Sequence, residues 1–352
     1  MKISNIAKII NTKIDGSFLD KTTYISTENM LPNCGGVVDA TTVPNAKVTS
    51  FNLDDTLLSN IRPYFKKVWF ARFNGGCSND VICIRANEAS CLPKYLYYAL
   101  STDMFINTFS ASSKGTKMPR GDKNALLDYE IPNRNIDEQH YIVDILGTLD
   151  EKIEILQKTN IKIQELCMAK YRSLFANTEK IELSKIAAIT MGQSPAGSSL
   201  NNDEGTVFYQ GRTDFGFRFP TVRLFTSEPK RMAKANDILL SVRAPVGDVN
   251  IAIESCCIGR GIAAISSKFS SFVYYSFLNQ KSDFDVYNNS GTIFGSINKD
   301  ALSAFKVPAT DVKEVASFEK FASSYDLQIR NNCLQIIKLN NLKQLYLKKF
   351  FG

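Results

Sequence analysis

The chain carries one pattern twice. "GTKMPRGDKNALLDYEIP" begins at Gly115 and "GTIFGSINKDALSAFKVP" begins at Gly291. Gly115, Thr116, Ala125, Leu126 and Pro132 recur as Gly291, Thr292, Ala301, Leu302 and Pro308, always 176 positions later. The interval holds without a gap from there to the ends of the two copies, Phe175 and Phe351. Upstream it drifts. "ISNIAKI" at Ile3 returns as "LSKIAAI" at Leu183, 180 positions on, and "DDTLLSNIRP" around Leu57 returns as "NDILLSVRAP" around Leu239, 182 positions on. A drifting interval means insertions, and a fixed one means a length that cannot change. Each half therefore consists of a globular piece of variable length followed by a piece of constrained length.

The constrained piece reads as a long helix. Asn135 followed by Glu138 resembles a capping box, and Asp311 with Glu314 stands at the same place in the second copy. Apolar residues then alternate by four and three: Ile142, Leu146, Leu149, Ile153, Leu156, Asn160, Ile163, Cys167, Lys170, Leu174. The second copy gives Phe318, Ala322, Tyr325, Ile329, Asn332, Ile336, Leu339, Lys343, Tyr346, Phe350. This is a heptad seam, and a helix of about 39 residues is about 58 Å long. With Ile142 at position d, Asn160 falls at a and Asn332 at d. An antiparallel pair sets a against d, so this arrangement brings the two asparagines together near mid-helix and fixes register. The sequence thus predicts an antiparallel coiled coil, with Asn160 and Asn332 as its register pair. Two independent solvated asparagines are the alternative. The antiparallel arrangement places the globular pieces at opposite ends of a rod, related by a pseudo-two-fold axis, as two readers on one duplex would be.

Both globular pieces look α+β. "KVWFARF" (Lys67–Phe73), "DVICIR" (Asp80–Arg85), "DILLSVR" (Asp237–Arg243) and "VNIAI" (Val249–Ile253) have the β-branched and aromatic content of strands. "PKYLYYALST" (Pro93–Thr102) and "SSFVYYSFLN" (Ser270–Asn279) follow as matching helices whose aromatic stripes suit a core. Polar, basic, Gly-rich loops surround them: Ser112–Lys123, Gln210–Arg223 and Asn288–Asp300. Arg, Lys, Thr, Asn and Gln in such loops are the side chains that bond phosphates and base edges. A formal charge of +7 over 352 residues adds a mild bias toward polyanions.

Several classes are disfavoured. Of the eight cysteines none forms C-x-x-C, and His140 is the only histidine, so zinc-like ligand spacing is missing. Free thiols in a reducing cytoplasm account for the cysteines, and His140 reads as a solvated residue in the first turn of the helix. No apolar run approaches the roughly 20 residues of a membrane span, and the N-terminus does not resemble a signal peptide. There is no G-x-x-x-x-G-K-[ST] loop for ATP and no Asn/Asp-Pro-Pro-Tyr stretch for gripping a flipped base. "GRGIAA" (Gly259–Ala264) superficially fits a dinucleotide fingerprint, but the residues after Gly261 read as a strand rather than a helix N-terminus.

Taken with "GQSPAGSSLNNDEG…FYQGRTDFG" from Gly192, "DILLSVRAPVGDVNIA…CCIGRGIAAI" and "IDEQHYIVDILGTLDEKIEIL", the paired exits resemble the specificity (S, HsdS) subunit of type I restriction-modification systems. The resemblance runs over essentially the whole chain, although the second helix enters as "VKEVASF" where the first has "DEQ". It implies target recognition domains at 1–135 and 177–311, and conserved helices at 136–176 and 312–352 that form the coiled-coil spacer. It implies that each domain reads one half of a split double-stranded DNA target. Two methyltransferase (modification) subunits dock on the spacer and restriction subunits join them, in the cytoplasm and without a membrane. The chain itself is then not an enzyme and holds no cofactor or metal: S-adenosylmethionine, ATP and Mg belong to the partner subunits. The DNA-contact candidates are Lys114, Thr116, Lys117 and Arg120 in the first copy of the repeated pattern, and Thr292, Asn298 and Lys299 in the second. Gln210 and Arg212 are candidates for base edges. Arg62 and Arg243, read as equivalent strand-end positions, are candidates for phosphate contact or a structural ion pair. The rival readings are a duplicated coiled-coil scaffold with little DNA contact, and an enzyme with an unrecognised site.

Overall fold

The computed structural model describes residues 1–113, 115, 118–176, 178–288, 295–308 and 311–352. They form two compact units. One comprises Met1–Ile155 with Ile336–Gly352, and the other comprises Leu156–Gln335. Each unit therefore takes one globular piece, the first half of one long helix and the second half of the other.

The same antiparallel sheet is built in both units. In the first its order is Ala7–Ile9, Val81–Ala86, Thr56–Ser59, Val68–Phe70, and in the second it is Ala188–Met191, Ile262–Ser266, Ile238–Ser241, Val249–Ile251. The register repeats as well. Leu58 faces Ile82 and Ser59 faces Val81, while Leu240 faces Ala263 and Ser241 faces Ile262. Thr56–Ser59 and Ile238–Ser241 are buried along their whole length. That explains why these central strands read as apolar runs rather than alternating ones. The second sheets differ: four strands through Lys47–Phe51 in the first unit, five through Thr206–Tyr209 in the second. Through these sheets the repeat interval moves from 180 at Ile3 to 182 at Leu57 and 181 at Ile82; the larger step, to 177 at Tyr98 and Tyr275, falls in the connection that follows, 87–92 against 267–269.

The two long helices are Ile136–Phe175 and Val312–Phe351, 40 residues each. The first begins with a reciprocal capping box. The Glu138 N–H donates to Asn135 Oδ1 at 2.9 Å and the Asn135 N–H to Glu138 Oε2 at 3.0 Å. In the second, Asp311 Oδ1 accepts from the Lys313 N–H at 2.8 Å. Inside the second unit the helix halves run antiparallel. Tyr171 and Phe175 both meet Phe318, and Asn332 Nδ2 donates to Asn160 Oδ1 at 2.8 Å. Asn160 is 2% exposed, and its own amide nitrogen points to Cys333 Sγ at 3.5 Å. Inside the first unit the pairing is antiparallel too, with Lys343 Nζ on Asp150 Oδ1 at 2.5 Å and Tyr141 edge-on to Phe350.

The buried stripe leaves the expected heptad seam near each helix C-terminus. Tyr171 and Phe175 are buried rather than Lys170 and Leu174, and Leu347 and Phe351 join Phe350 in the core. The reason is a change of partner. Spacing by fours (Ile163, Cys167, Tyr171, Phe175) follows the ridge a straight helix presents to a globular core, and the short helices Pro93–Leu100 and Ser270–Asn279 supply that core. Tyr95 packs on Phe351 and Phe272 on Phe175, each with ring centroids 5.0 Å apart.

Each short helix is also latched to the long helix after it. Tyr98 OH donates to Asp150 Oδ2 at 2.9 Å, and Tyr275 OH to Asp326 Oδ1 at 3.0 Å. Their N-termini are held by a buried Gln139 and a half-buried Glu319. Gln139 Oε1 accepts from the Leu92 N–H at 2.8 Å, and Glu319 accepts from the Ser271 and Phe272 N–H groups at 3.2 and 2.9 Å. Burial pushes the Glu319 carboxyl above its ordinary range, against the pull of those two amides. All eight cysteines are free thiols, six of them buried. Among the described residues no helix is long and apolar enough to cross a membrane.

Candidate nucleic-acid interface

The repeated pattern that marks the sequence also builds the candidate site. In the first unit the chain leaves strand Thr56–Ser59 and is captured at once. The Asn60 N–H donates to Asp80 O at 2.8 Å, the Arg62 N–H to Pro119 O at 2.9 Å, and the Gly121 N–H to Asn60 O at 3.1 Å. In the second unit the Val242 N–H donates to Gly261 O at 2.9 Å, the Ala244 N–H to Gly295 O at 2.9 Å, and the Ile297 N–H to Val242 O at 3.1 Å. These are the same three bonds. The bridges Ile61↔Arg120 and Arg243↔Ser296 complete the match. Gly121 is needed here because a β-carbon would come 2.1 Å from the Phe109 ring.

This pairing corrects the strand-end equivalence. With Ser59 and Ser241 as matching strand ends, Arg62 matches Ala244, and Arg243 takes the place of Ile61. Arg62 and Arg243 stand 181 apart in a stretch that repeats at 182, and that one residue is enough to turn a side chain to another face of an extended segment. Both arginines are exposed, and neither side chain has a hydrogen bond or ion pair among the described residues. Arg120 is exposed and pairs with Asp80, Nη2 to Oδ1 at 2.8 Å. Lys114, Thr116, Lys117 and Thr292 lie outside the described residues. Asn298 caps the helix Lys299–Ser303, its Oδ1 accepting the Ala301 N–H at 2.8 Å, and Lys299 is exposed on the first turn. Asp122 does the same work in the first unit, accepting from the Asn124 N–H at 2.8 Å.

Gln210 and Arg212 sit on a loop organised by groups the sequence did not single out. Asp214, 4% exposed, is the hub. Its Oδ2 accepts the Gln210 N–H at 2.7 Å and the Gly211 N–H at 3.3 Å, and its Oδ1 takes Arg223 Nε at 2.8 Å. Asn250 clamps Gly216 through both its amide atoms, each at 3.0 Å. Arg218 is buried at 1% exposure, its guanidinium bonded to Asp326, to Tyr275 OH at 2.9 Å, and stacked 3.9 Å from the Tyr274 ring centroid. Flanking phenylalanines in "FGFRFP" were the one available hint that this arginine turns inward. Gln210 is left exposed. Arg212 is exposed and paired with Asp248, which also takes Lys281 Nζ at 2.8 Å. Burial alone would raise Asp248, but its hydrogen bonds to Lys281 and Arg212 win and hold the carboxyl below its ordinary value.

"GRGIAA" proves to be a packing device. β-Carbons on Gly259 or Gly261 would stand 2.9 Å from Gln210 O, so both glycines are needed to let this loop approach. Strand Ile262–Ser266 follows, not a helix. The site thus consists of two matching backbone frames that carry unlike side chains. Exposed cations sit at their rims, and no nucleophile–base pair lies among the residues just described.

A family model described as "Type I restriction modification DNA specificity domain" matches residues 1–165 and again 176–333. The chain belongs to this family. It is 32% identical over 276 residues to the putative type I restriction enzyme MjaX specificity subunit of Methanocaldococcus jannaschii, covering 70% of this chain and 64% of that protein. It is 24% identical over 203 residues to the HindI specificity subunit of Haemophilus influenzae, covering 54% of this chain and 43% of that one. The chain therefore spans less than two thirds of these relatives. The solved type I restriction-modification S subunit from M. genitalium shares the fold, with a TM-score of 0.63 at 18% identity over 100% of this chain and 95% of that one.

Proposed function

We propose that this chain is the DNA-reading, non-catalytic subunit of a type I restriction-modification complex in the cytoplasm. Residues 1–135 and 177–311 act as target recognition domains, each reading one half of an asymmetric bipartite duplex. The helices at 136–176 and 312–352 set the spacer and dock two adenine-methyltransferase subunits, which restriction subunits join. S-adenosylmethionine, ATP and Mg are used in those partners. The observation that carries this reading is the strand-exit frame, built twice with the same three backbone bonds but with different side chains on it. One frame used twice suits two half-sites on one polymer. Different side chains suit two different half-sequences.

The DNA contacts fall to Arg62, Lys114, Thr116, Lys117 and Arg120 in the first domain. In the second they fall to Gln210, Arg212, Arg243, Thr292, Asn298 and Lys299. Arg212 reads only after exchanging Asp248 for the duplex, and Asn298 reads through the amide atoms its cap leaves over. Long-read sequencing for N6-methyladenine, with and without this gene, tests the proposal. The expected result is a bipartite motif that disappears with the gene. Unchanged methylation with active partner subunits present refutes it.

A further inference from the structure

The first unit displays an aromatic pair on a turn whose counterpart in the second unit carries none. Tyr64 and Phe65 lie on the turn Pro63–Phe65, at 56% and 40% exposure, with ring centroids 4.8 Å apart. The turn is held rigidly. Arg62 and Lys66 bracket it in the left-handed region, φ 48° and 53°, a conformation that costs energy for side chains of this size. The Arg62 N–H donates to Pro119 O at 2.9 Å, the Asn33 N–H to Phe65 O at 3.0 Å, and the Cys34 N–H to Lys66 O at 2.9 Å. Lys66 is tied to Asp103 at 2.6 Å. Two large rings are thus held in water by a strained turn that is bonded on both flanks. In the second unit the matching turn carries Pro245 and Val246, and Val246 is 3% exposed.

The surroundings identify the occupant. Arg62, Lys66 and Lys67 share the turn, and Arg120 lies on the segment bonded to it. Asp80 and Asp103 answer Arg120 and Lys66, and Lys67 Nζ donates to Thr27 O at 2.5 Å, which leaves Arg62 as the cation beside the rings without a partner among the described residues. The turn is bonded into the strand-exit frame assigned above to DNA, with Arg62 and Arg120 exposed beside the rings. A polyanion with flat aromatic faces in its interior fits both features, and that is duplex DNA. We propose that Tyr64 and Phe65 form a wedge that stacks into one base step of the first half-site and opens it. Specificity at that half-site then includes the ease of unstacking the step, not only contacts to base edges. The second half-site is read without a wedge. This inference rests on the reading that residues 1–135 bind duplex DNA.

The test uses the full chain assembled with its modification subunits. The duplexes carry the methylated motif, with 2-aminopurine placed in turn at each first-half position other than the methylated adenine. The wild type is expected to raise fluorescence several-fold at one step. Y64A/F65A is expected to abolish that rise and weaken binding about ten- to a hundredfold, while discrimination at the second half-site persists. Tyr64→Phe is expected to keep the rise. Both rings are exposed, so the thermal melt of the double variant should match the wild type. Specific binding with no rise at any position overturns the wedge. So does a rise that survives in Y64A/F65A, or loss of the modification subunits from the variant with the DNA distortion intact. A wild-type complex that does not distinguish the motif from scrambled duplex in a mobility shift removes the DNA reading itself, and the wedge falls with it.

Discussion

Arg218 offers the sharpest test of how the second recognition loop is held. Its side chain is fully buried and pairs with Asp326, whose side chain is itself only 14% exposed. Among the described residues Arg218 Nε and Nη1 and Asp326 Oδ2 have no hydrogen-bond partner. The pair has therefore given up hydration it does not fully recover. Removing one partner of such a pair leaves a buried charge uncompensated and costs about 3–5 kcal/mol. Asp326→Leu should reach that range, because the guanidinium keeps only Tyr275 OH and the Tyr274 face. Arg218→Met should cost about 2–3 kcal/mol, at or below the lower edge of the same range, since Asp326 retains both Tyr275 and some water. The double variant, which puts apolar groups of similar volume on both sides, should recover most of the loss, to within about 1–2 kcal/mol of the wild type. For a unit of this size each kcal/mol moves Tm by about 2–4 °C, so Asp326→Leu should lower it by about 6–20 °C. Denaturant titration of the four proteins measures the cycle, and hydrogen exchange over residues 211–223 locates it. Single variants that cost under about 1 kcal/mol, or a double variant whose loss is the sum of the two, would show that the ion pair is not coupled and refute the reasoning.

The Asn160–Asn332 pair should behave as a register device. Asn332→Leu strands the buried Asn160 amide and should cost about 1–3 kcal/mol, whereas leucine at both positions should be neutral or stabilising, read by denaturant midpoint. Tyr98→Phe removes one of two donors to Asp150 and leaves Lys343, so a loss of only about 0.5–1.5 kcal/mol is expected; a larger value would mean that Lys343 does not hold Asp150. Asp248 is held below its ordinary pKa, so the stability it contributes is fully present above its unfolded value near pH 4. That contribution should fade as pH falls through the lower folded value. Carboxyl titration by NMR checks the direction, and protonation of Asp248 above pH 5 would contradict it. Arg212→Ala should alter preference at one half-site only, measured by methylation of substituted targets, while equal loss on all sequences would argue against base reading.

What could be read from the sequence was whatever repeats. The α+β character, the two long helices, the strands around Leu57 and Leu239 and the short helices after them all follow from patterns stated twice: apolar runs for the strands, a heptad seam for the long helices and aromatic stripes for the short ones. The strand-exit frame was visible only as conserved spacing, because its bonds are backbone bonds and backbone leaves no residue signature. The slip between Arg62 and Arg243 came from matching arginine to arginine, 181 apart, where the strand and its proline repeat at 182. Asp214, Asn250 and Arg218 escaped for a different reason. An aspartate that bonds amides three and four residues away looks like any turn residue, and a buried arginine looks like an exposed one until its partner, Asp326, is known.

The two latches show what duplication preserved and what it released. Tyr98–Asp150 and Tyr275–Asp326 are the same contact in both units, so the acid and its tyrosine were kept. The cation was not. In the first unit it is Lys343 on the other long helix, and the position 176 residues earlier is Cys167, a buried thiol with no charge to offer. In the second unit the charge comes from Arg218, out of the recognition loop itself. The consequence concerns exchange of recognition loops. A loop replaced in the first unit leaves the Asp150 latch complete, because none of its three members belongs to that loop. A loop placed between Gln210 and Arg223 that lacks an arginine at 218 leaves Asp326 with Tyr275 alone, and the graft should then destabilise the unit before its sequence preference can be measured. Introducing Cys167→Lys alongside such a graft restores the arrangement of the first unit and should recover stability. If it does not, the cation is specific to the loop rather than to the acid.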